Sequence, residues 1–141
     1  MLDFERLLAK IDELDGYLKE IQEISPENFE EYKKIEKRRA CERLLQVSIE
    51  SMIDICAIIV SGLRLGLPAE EDDLFDKLEQ AGIISPLMLA KLKKMRGFRN
   101  ILVHEYGRIN DELVYNMLKT QMNDFNEFKK EILKYITKNK H

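Results

Sequence analysis

With 141 residues, 45% of them hydrophobic, the chain has the length of one domain and can bury a core without disulfide or metal staples. Charged residues make up 35%, Gly and Pro number only 6 and 3, and Trp is absent, which suits a set of amphipathic helices. A formal net charge of −3 excludes a protein that coats nucleic acid through bulk positive charge, so any RNA contact has to be local.

Phe4, Leu7, Ile11, Leu14, Leu18 and Ile21 recur at steps of three and four and predict a helix over residues 3–23. Ser25-Pro26 is expected to break it and to open a second helix, with Ser25 as N-cap. The polar stretch Glu27 to Arg38, with Phe29, Tyr32 and Ile35 as its apolar points, reads as a short helix or a solvated lead-in. From Ala40 a strong stripe through Leu45, Ile49, Met52, Cys56, Ile59 and Leu63 marks the central core helix, which Gly62, Gly66 and Pro68 are expected to end. The acidic group Glu70 to Asp73 suits the start of a short helix carrying Leu74, Phe75 and Leu78, closed by Gly82. Ser85-Pro86 then opens a helix through Leu89, Leu92 and Met95. Gly107 and Asn110-Asp111 form the next break, and Val114, Leu118, Gln121, Phe125, Phe128, Ile132 and Tyr135 predict one last long helix before a frayed tail at 138–141. The expectation is an all-α, single-domain chain over 1–141, folded as an up-and-down four-helix bundle with an additional short helix.

No charged-then-apolar leader opens the sequence, and the longest apolar run, Ile55 to Val60, is too short to cross a bilayer, so a cytoplasmic location is expected. Cys41 and Cys56 fall in one predicted helix, roughly 22 Å apart at about 1.5 Å per residue, beyond disulfide reach. They read as reduced thiols without assigned chemistry. No phosphate-binding loop, zinc-protease helix or paired Cys–His set is present, and neither a cofactor nor a metal is expected.

Chemistry concentrates between Lys91 and Arg108, where Lys91, Lys93, Lys94, Arg96, Arg99 and Arg108 face one acid, Glu105. Asn100 and His104 stand one turn apart, so the amide can orient the imidazole. Arg99 lies five residues before His104, about 140° around a helix, a gap that a phosphate can bridge. Metal-free RNA cleavage needs a base, an acid and positive charge on phosphorus; imidazole and guanidinium supply these. Lys94, Arg96 and Arg108 are candidate phosphate contacts, although residues such as Lys94 and Arg96 are more often solvated face than ligand. A shuffled chain of this composition contains R-x-x-x-x-H-x-Y roughly 0.004 times, so chance is a poor source of the pattern. A single histidine near a helix end is nonetheless more often a packing or capping residue, and His141 at the terminus is no candidate.

The segment Arg96-Gly97-Phe98-Arg99-Asn100-Ile101-Leu102-Val103-His104-Glu105-Tyr106 resembles the signature of the HepT-like toxins, within the HEPN superfamily of helical ribonucleases. Ala40 to Asp54 and Asp76 to Gly82 resemble that family's core helix and its inserted helix, so the resemblance covers about residues 35–130. It implies a dimerising HEPN-like bundle that is the toxin of a type VII-like HEPN/MNT toxin–antitoxin system and cleaves RNA without metal. Arg99 and His104 carry over as the catalytic pair, Asn100 as the polar residue after the arginine, and Tyr106 as the tyrosine that a cognate MNT-type nucleotidyltransferase antitoxin modifies with AMP.

Independently of the resemblance, two proton transfers with one credible histidine per chain are easiest if two His104 rings meet across a homodimer axis. The alternatives are a non-catalytic module that binds nucleotide or docks a nucleotidyltransferase, and a structural dimerisation domain on which the motif has no role.

Overall fold

The computed structural model describes residues 2–104, 107 and 109–139. Among these residues seven helices follow one another: α1 (Phe4–Ile24), α2 (Phe29–Tyr32), α3 (Ile35–Gly62), α4 (Glu71–Gln80), α5 (Pro86–His104), α6 (Asp111–Thr120) and α7 (Asn123–Asn139). Helices α1, α3, α5 and α7 form the four-helix bundle, with α3 against α1 and α5, and the short α4 packed on both α3 and α5. Helix α7 closes the ring: Lys129 pairs with Asp15 of α1, and Lys91 of α5 pairs with Asp124 and Glu127. No strand occurs among the described residues.

Local chemistry explains most boundaries. Asp3 caps α1 by accepting from Arg6 N at 3.1 Å, and Asn110 caps α6 by accepting from Leu113 N at 3.1 Å. Ser85 Oγ accepts from Met88 N at 3.1 Å, with Pro86 at the first helical position of α5 as expected. The α4 start is held by Asp73, whose carboxylate accepts from Ala69 N at 2.8 Å and Glu70 N at 3.0 Å. Those bonds hold its carboxyl below the usual value. Gly82, at φ +75°, lets the chain reverse after α4. At Gly62 a Cβ would lie 2.9 Å from Leu2, so the close approach of the N-terminal segment requires glycine there.

Three expectations need correction. Ser25-Pro26 does not open α2; Asn28 does, accepting from Glu31 N at 2.8 Å. Ser25 and Pro26 instead belong to the α1–α2 link, where Lys37 reaches back to Ile24 O at 2.7 Å. Helix α3 ends at Gly62 as expected, and the chain leaves it through Arg64, at φ 55°, and Gly66, at φ +124°, with Leu65 N donating to Val60 O at 3.0 Å in a helix-ending turn. The last long helix is two helices, interrupted at Gln121 and Met122, where Thr120 Oγ1 bonds back to Asn116 O at 2.8 Å. Apolar positions Leu118 and Phe125, seven residues apart, remain in phase, which is why periodicity does not reveal the break. Helix α7 also continues through Lys138 and Asn139 of the expected tail, while residues 140–141 lie outside those described.

One core runs through the bundle, built on Leu45, Ile49, Met52 and Ile59 of α3 and Phe125 and Phe128 of α7, all fully buried. By length and composition α3 could cross a bilayer, but most of its apolar window is buried inside the bundle. Tyr32, expected in a polar stretch, is fully buried against Phe29 and Tyr115, with ring centroids 6.3 and 6.0 Å away.

Both cysteines are free and buried, Cys41 included, although it stands among charges in the sequence. Burial pushes the Cys41 thiol up to about 11 and the Cys56 thiol higher still. At pH 8 the folded protein is expected to show no rapid thiol reaction with a chromogenic disulfide, and both thiols should react after denaturation. A fast native-state equivalent would contradict this packing.

Candidate active site

Helix α5 carries the motif to its C-terminal end. Met88, Leu92, Met95 and Leu102 form its buried edge, and their spacing fixes which way the polar residues turn. Val103 and His104 are exposed at the terminus, whereas the Arg99 side chain is only 13% exposed and points toward α3 and α4.

Arg99 sits in a three-helix network. Its Nε donates to Asn100 Oδ1 at 3.0 Å, Nη1 donates to Glu50 Oε2 of α3 at 3.4 Å, and Nη2 donates to Glu71 Oε1 of α4. Gln46 Nε2 also donates to Glu50 Oε2, at 3.4 Å. One turn earlier, Arg96 is paired through two nitrogens with both carboxylate oxygens of Asp72, at 2.7 and 3.2 Å. Since Asp72 adjoins Glu71, the Arg96–Asp72 pair anchors the first turn of α4 beside Arg99.

Two expectations about the site change. Asn100 does not hydrogen-bond His104 among the described residues; its amide oxygen is taken by Arg99, a charged donor on the adjacent residue. The basic character of residues 91–108 is largely cancelled in three dimensions. Lys91 pairs with Asp124 and Glu127, Lys93 with Asp76 at 2.8 Å, Arg96 with Asp72, and Arg99 with Glu50 and Glu71. Of the described Lys and Arg residues in α5, Lys94 alone is exposed without an ion-pair partner. Tyr106 and Arg108 lie outside the described residues.

Glu50 and Glu71 were not legible as site residues, because they come from other helices and no motif joins them to Arg99. A small cleft of about 240 Å³ at Gly107 is lined by Arg38, Arg39, Glu42, Ile109 and Asp111. There Arg38 pairs with Asp111 at 3.5 Å and Arg39 with the buried Glu42 at 2.8 Å. A larger cavity of about 810 Å³, between α1 and the α6–α7 junction, contains no motif residue. Among the described residues, no group of three or more His, Cys, Asp or Glu could hold a metal ion.

A bundle that presents one histidine at a helix terminus, with an arginine one turn back held by carboxylates, defines a small helical domain of the HEPN type. The ribonuclease HepT-like family model matches residues 14–132, and the chain belongs to that family. It is 37% identical over 84 residues to the mRNA nuclease HepT of Shewanella oneidensis, a match that covers 60% of this chain and 63% of that protein. It is 27% identical over 132 residues to the tRNA nuclease HepT of Aphanizomenon flos-aquae, covering 94% of this chain and 88% of that one. The fold superposes with a TM-score of 0.84 on the tri-AMPylated Shewanella oneidensis HEPN toxin solved in complex with MNT antitoxin, at 29% identity, covering 91% of this chain and 96% of that one.

Proposed function

We propose that this chain, acting as a single HEPN-like domain in the cytosol, is the toxin of a HEPN/MNT toxin–antitoxin pair and a metal-independent endoribonuclease. The observation that carries the reading is the placement of Arg99 and His104 at the open end of α5, within the stretch matched by the family model. Arg99 and His104 are the catalytic pair, and the working unit is a homodimer that brings two His104 rings to one cleft.

In this mechanism one His104 takes the 2′-hydroxyl proton as the O2′–P bond forms, and the second protonates O5′ as the P–O5′ bond breaks. The guanidinium of Arg99 binds non-bridging oxygens and stabilises the charge on the pentacoordinate phosphorus. The products are a 2′,3′-cyclic phosphate and a free 5′-hydroxyl. Lys94 and Arg108 are phosphate contacts outside the reacting centre, and Arg96 joins them only if Asp72 releases it.

The partner is a nucleotidyltransferase antitoxin that transfers AMP to Tyr106. The added phosphate places negative charge two residues from His104, where it competes with RNA. Two relatives named as nucleases and a neighbour solved as a tri-AMPylated toxin with its antitoxin support this assignment.

The test is cleavage of total cellular RNA by unmodified protein in EDTA. Loss of all cleavage across RNA classes would favour the nucleotide-binding or transferase-docking module instead. In cells, Tyr106→Phe is expected to stay toxic when co-expressed with an antitoxin that acts only by AMP transfer, and wild type to be silenced. Full protection against Tyr106→Phe would show that neutralisation runs through binding, not modification.

A further inference from the structure

The arginine assigned above to RNA phosphate is already occupied. Three of the N–H groups of the Arg99 guanidinium are taken by Asn100, Glu50 and Glu71, out of the five such a group carries. One cation therefore faces two carboxylates, and a phosphodiester approaching this point meets net negative charge. The guanidinium also turns toward α3 and α4, whereas His104 is exposed at the helix end and shares no hydrogen bond with Arg99 or Asn100 among the described residues. In this arrangement the Arg99 guanidinium has to release a carboxylate before it can take a phosphate oxygen.

We propose that Glu71, backed by Glu50, is an internal competitor for RNA phosphate at Arg99, so that substrate binds by exchanging a carboxylate for a phosphate oxygen. This rests on the ribonuclease reading in taking Arg99 as the phosphate-binding group. The two carboxylates are not equivalent. Glu50 lies mid-way along the 28-residue α3 and is further tied by Gln46, so it stays in place. Glu71 is the first residue of α4, and although the two side chains are equally exposed, at 38% and 37%, that of Glu71 has Arg99 as its one partner among the described residues, so a rotamer change delivers it to water. The Arg96–Asp72 pair keeps α4 docked while that happens. The exchange makes phosphate affinity depend on the charge of two residues outside the motif. It favours polyanions, whose neighbouring phosphates offset the lost ion pair, over isolated anions.

The experiment measures binding of a fluorescent 2′-O-methyl RNA oligonucleotide, which lacks the 2′-hydroxyl nucleophile, to the full unmodified chain by anisotropy. Glu71→Gln is expected to tighten binding about 3-fold and Glu50→Gln/Glu71→Gln about 10-fold, a factor of ten being about 1.4 kcal/mol. Glu20→Gln, an exposed charge change on α1, is expected to leave binding unchanged. In an Arg99→Ala background the gain from Glu71→Gln should vanish, because the competitor then has nothing to compete for. Unchanged or weaker binding by Glu71→Gln overturns the proposal. So does an equal gain with and without Arg99, which marks a general charge effect, and so does failure of wild type and both variants to bind. Glu71→Gln alone decides the matter should the double variant fail to reach wild-type helicity. Cleavage of unmodified RNA in EDTA, run in parallel, separates the two claims. Tightened binding without wild-type cleavage sinks the ribonuclease reading, and cleavage with unaltered binding sinks the exchange.

Discussion

Replacing His104 with Ala is expected to lower RNA cleavage by about 10²–10⁴-fold at unchanged helicity, the span usual for a lost general acid–base group. Structure should be spared because the ring is exposed at the end of α5 and leaves no buried partner behind. Arg99→Ala is expected to cost about 10²–10³-fold through lost stabilisation of the phosphorane charge. It is the less clean variant, since removing the guanidinium leaves Glu50 and Glu71 facing each other without their cation. The assay is cleavage of total RNA in EDTA, with folding checked by circular dichroism. Wild-type rates in His104→Ala would remove the histidine from the mechanism. Mixed dimers of wild type and His104→Ala refine the point: a site shared across the two-fold axis loses most activity when one ring is missing, whereas independent sites retain half.

A second large effect is expected on stability. Phe128 is fully buried on α7 beside Phe125, so Phe128→Ala should cost about 3–5 kcal/mol through lost transfer energy and the cavity left behind. In a domain of this size that corresponds to a fall in Tm of about 10–20 °C. Leu133 lies on the same helix but is 39% exposed, and Leu133→Ala should cost about 1 kcal/mol or less. Thermal unfolding followed at 222 nm measures both. Equal shifts for the two variants would mean that α7 presents a different face to the bundle.

Periodicity carried most of the fold because burial is written locally in amphipathic helices. The stripe Leu45, Ile49, Met52, Cys56 and Ile59 is buried as its spacing requires, the capping signal at Ser85-Pro86 starts a helix where expected, and the break expected at Asn110-Asp111 falls where α6 begins. The same logic hid the α6–α7 break, since an interruption that preserves phase leaves no mark in a pattern of phase. The Ser25-Pro26 signal also misplaced the start of α2, which begins after Asn28 instead.

The site was half legible. The residue types and spacing of Arg99, Asn100 and His104 follow from one short segment, and their position at an open helix end follows from the apolar edge of α5. Their electrostatic setting does not. Lys93, Arg96 and Arg99 read as an unopposed basic run along the chain, but Asp76, Asp72, Glu71 and Glu50 reach them from α3 and α4. A helix's own sequence determines which face is apolar and where its polar groups emerge, because both depend on neighbours within a turn or two. Which charges meet depends on how helices dock, and only the tertiary structure decided that Arg99 is held by carboxylates more than twenty residues away.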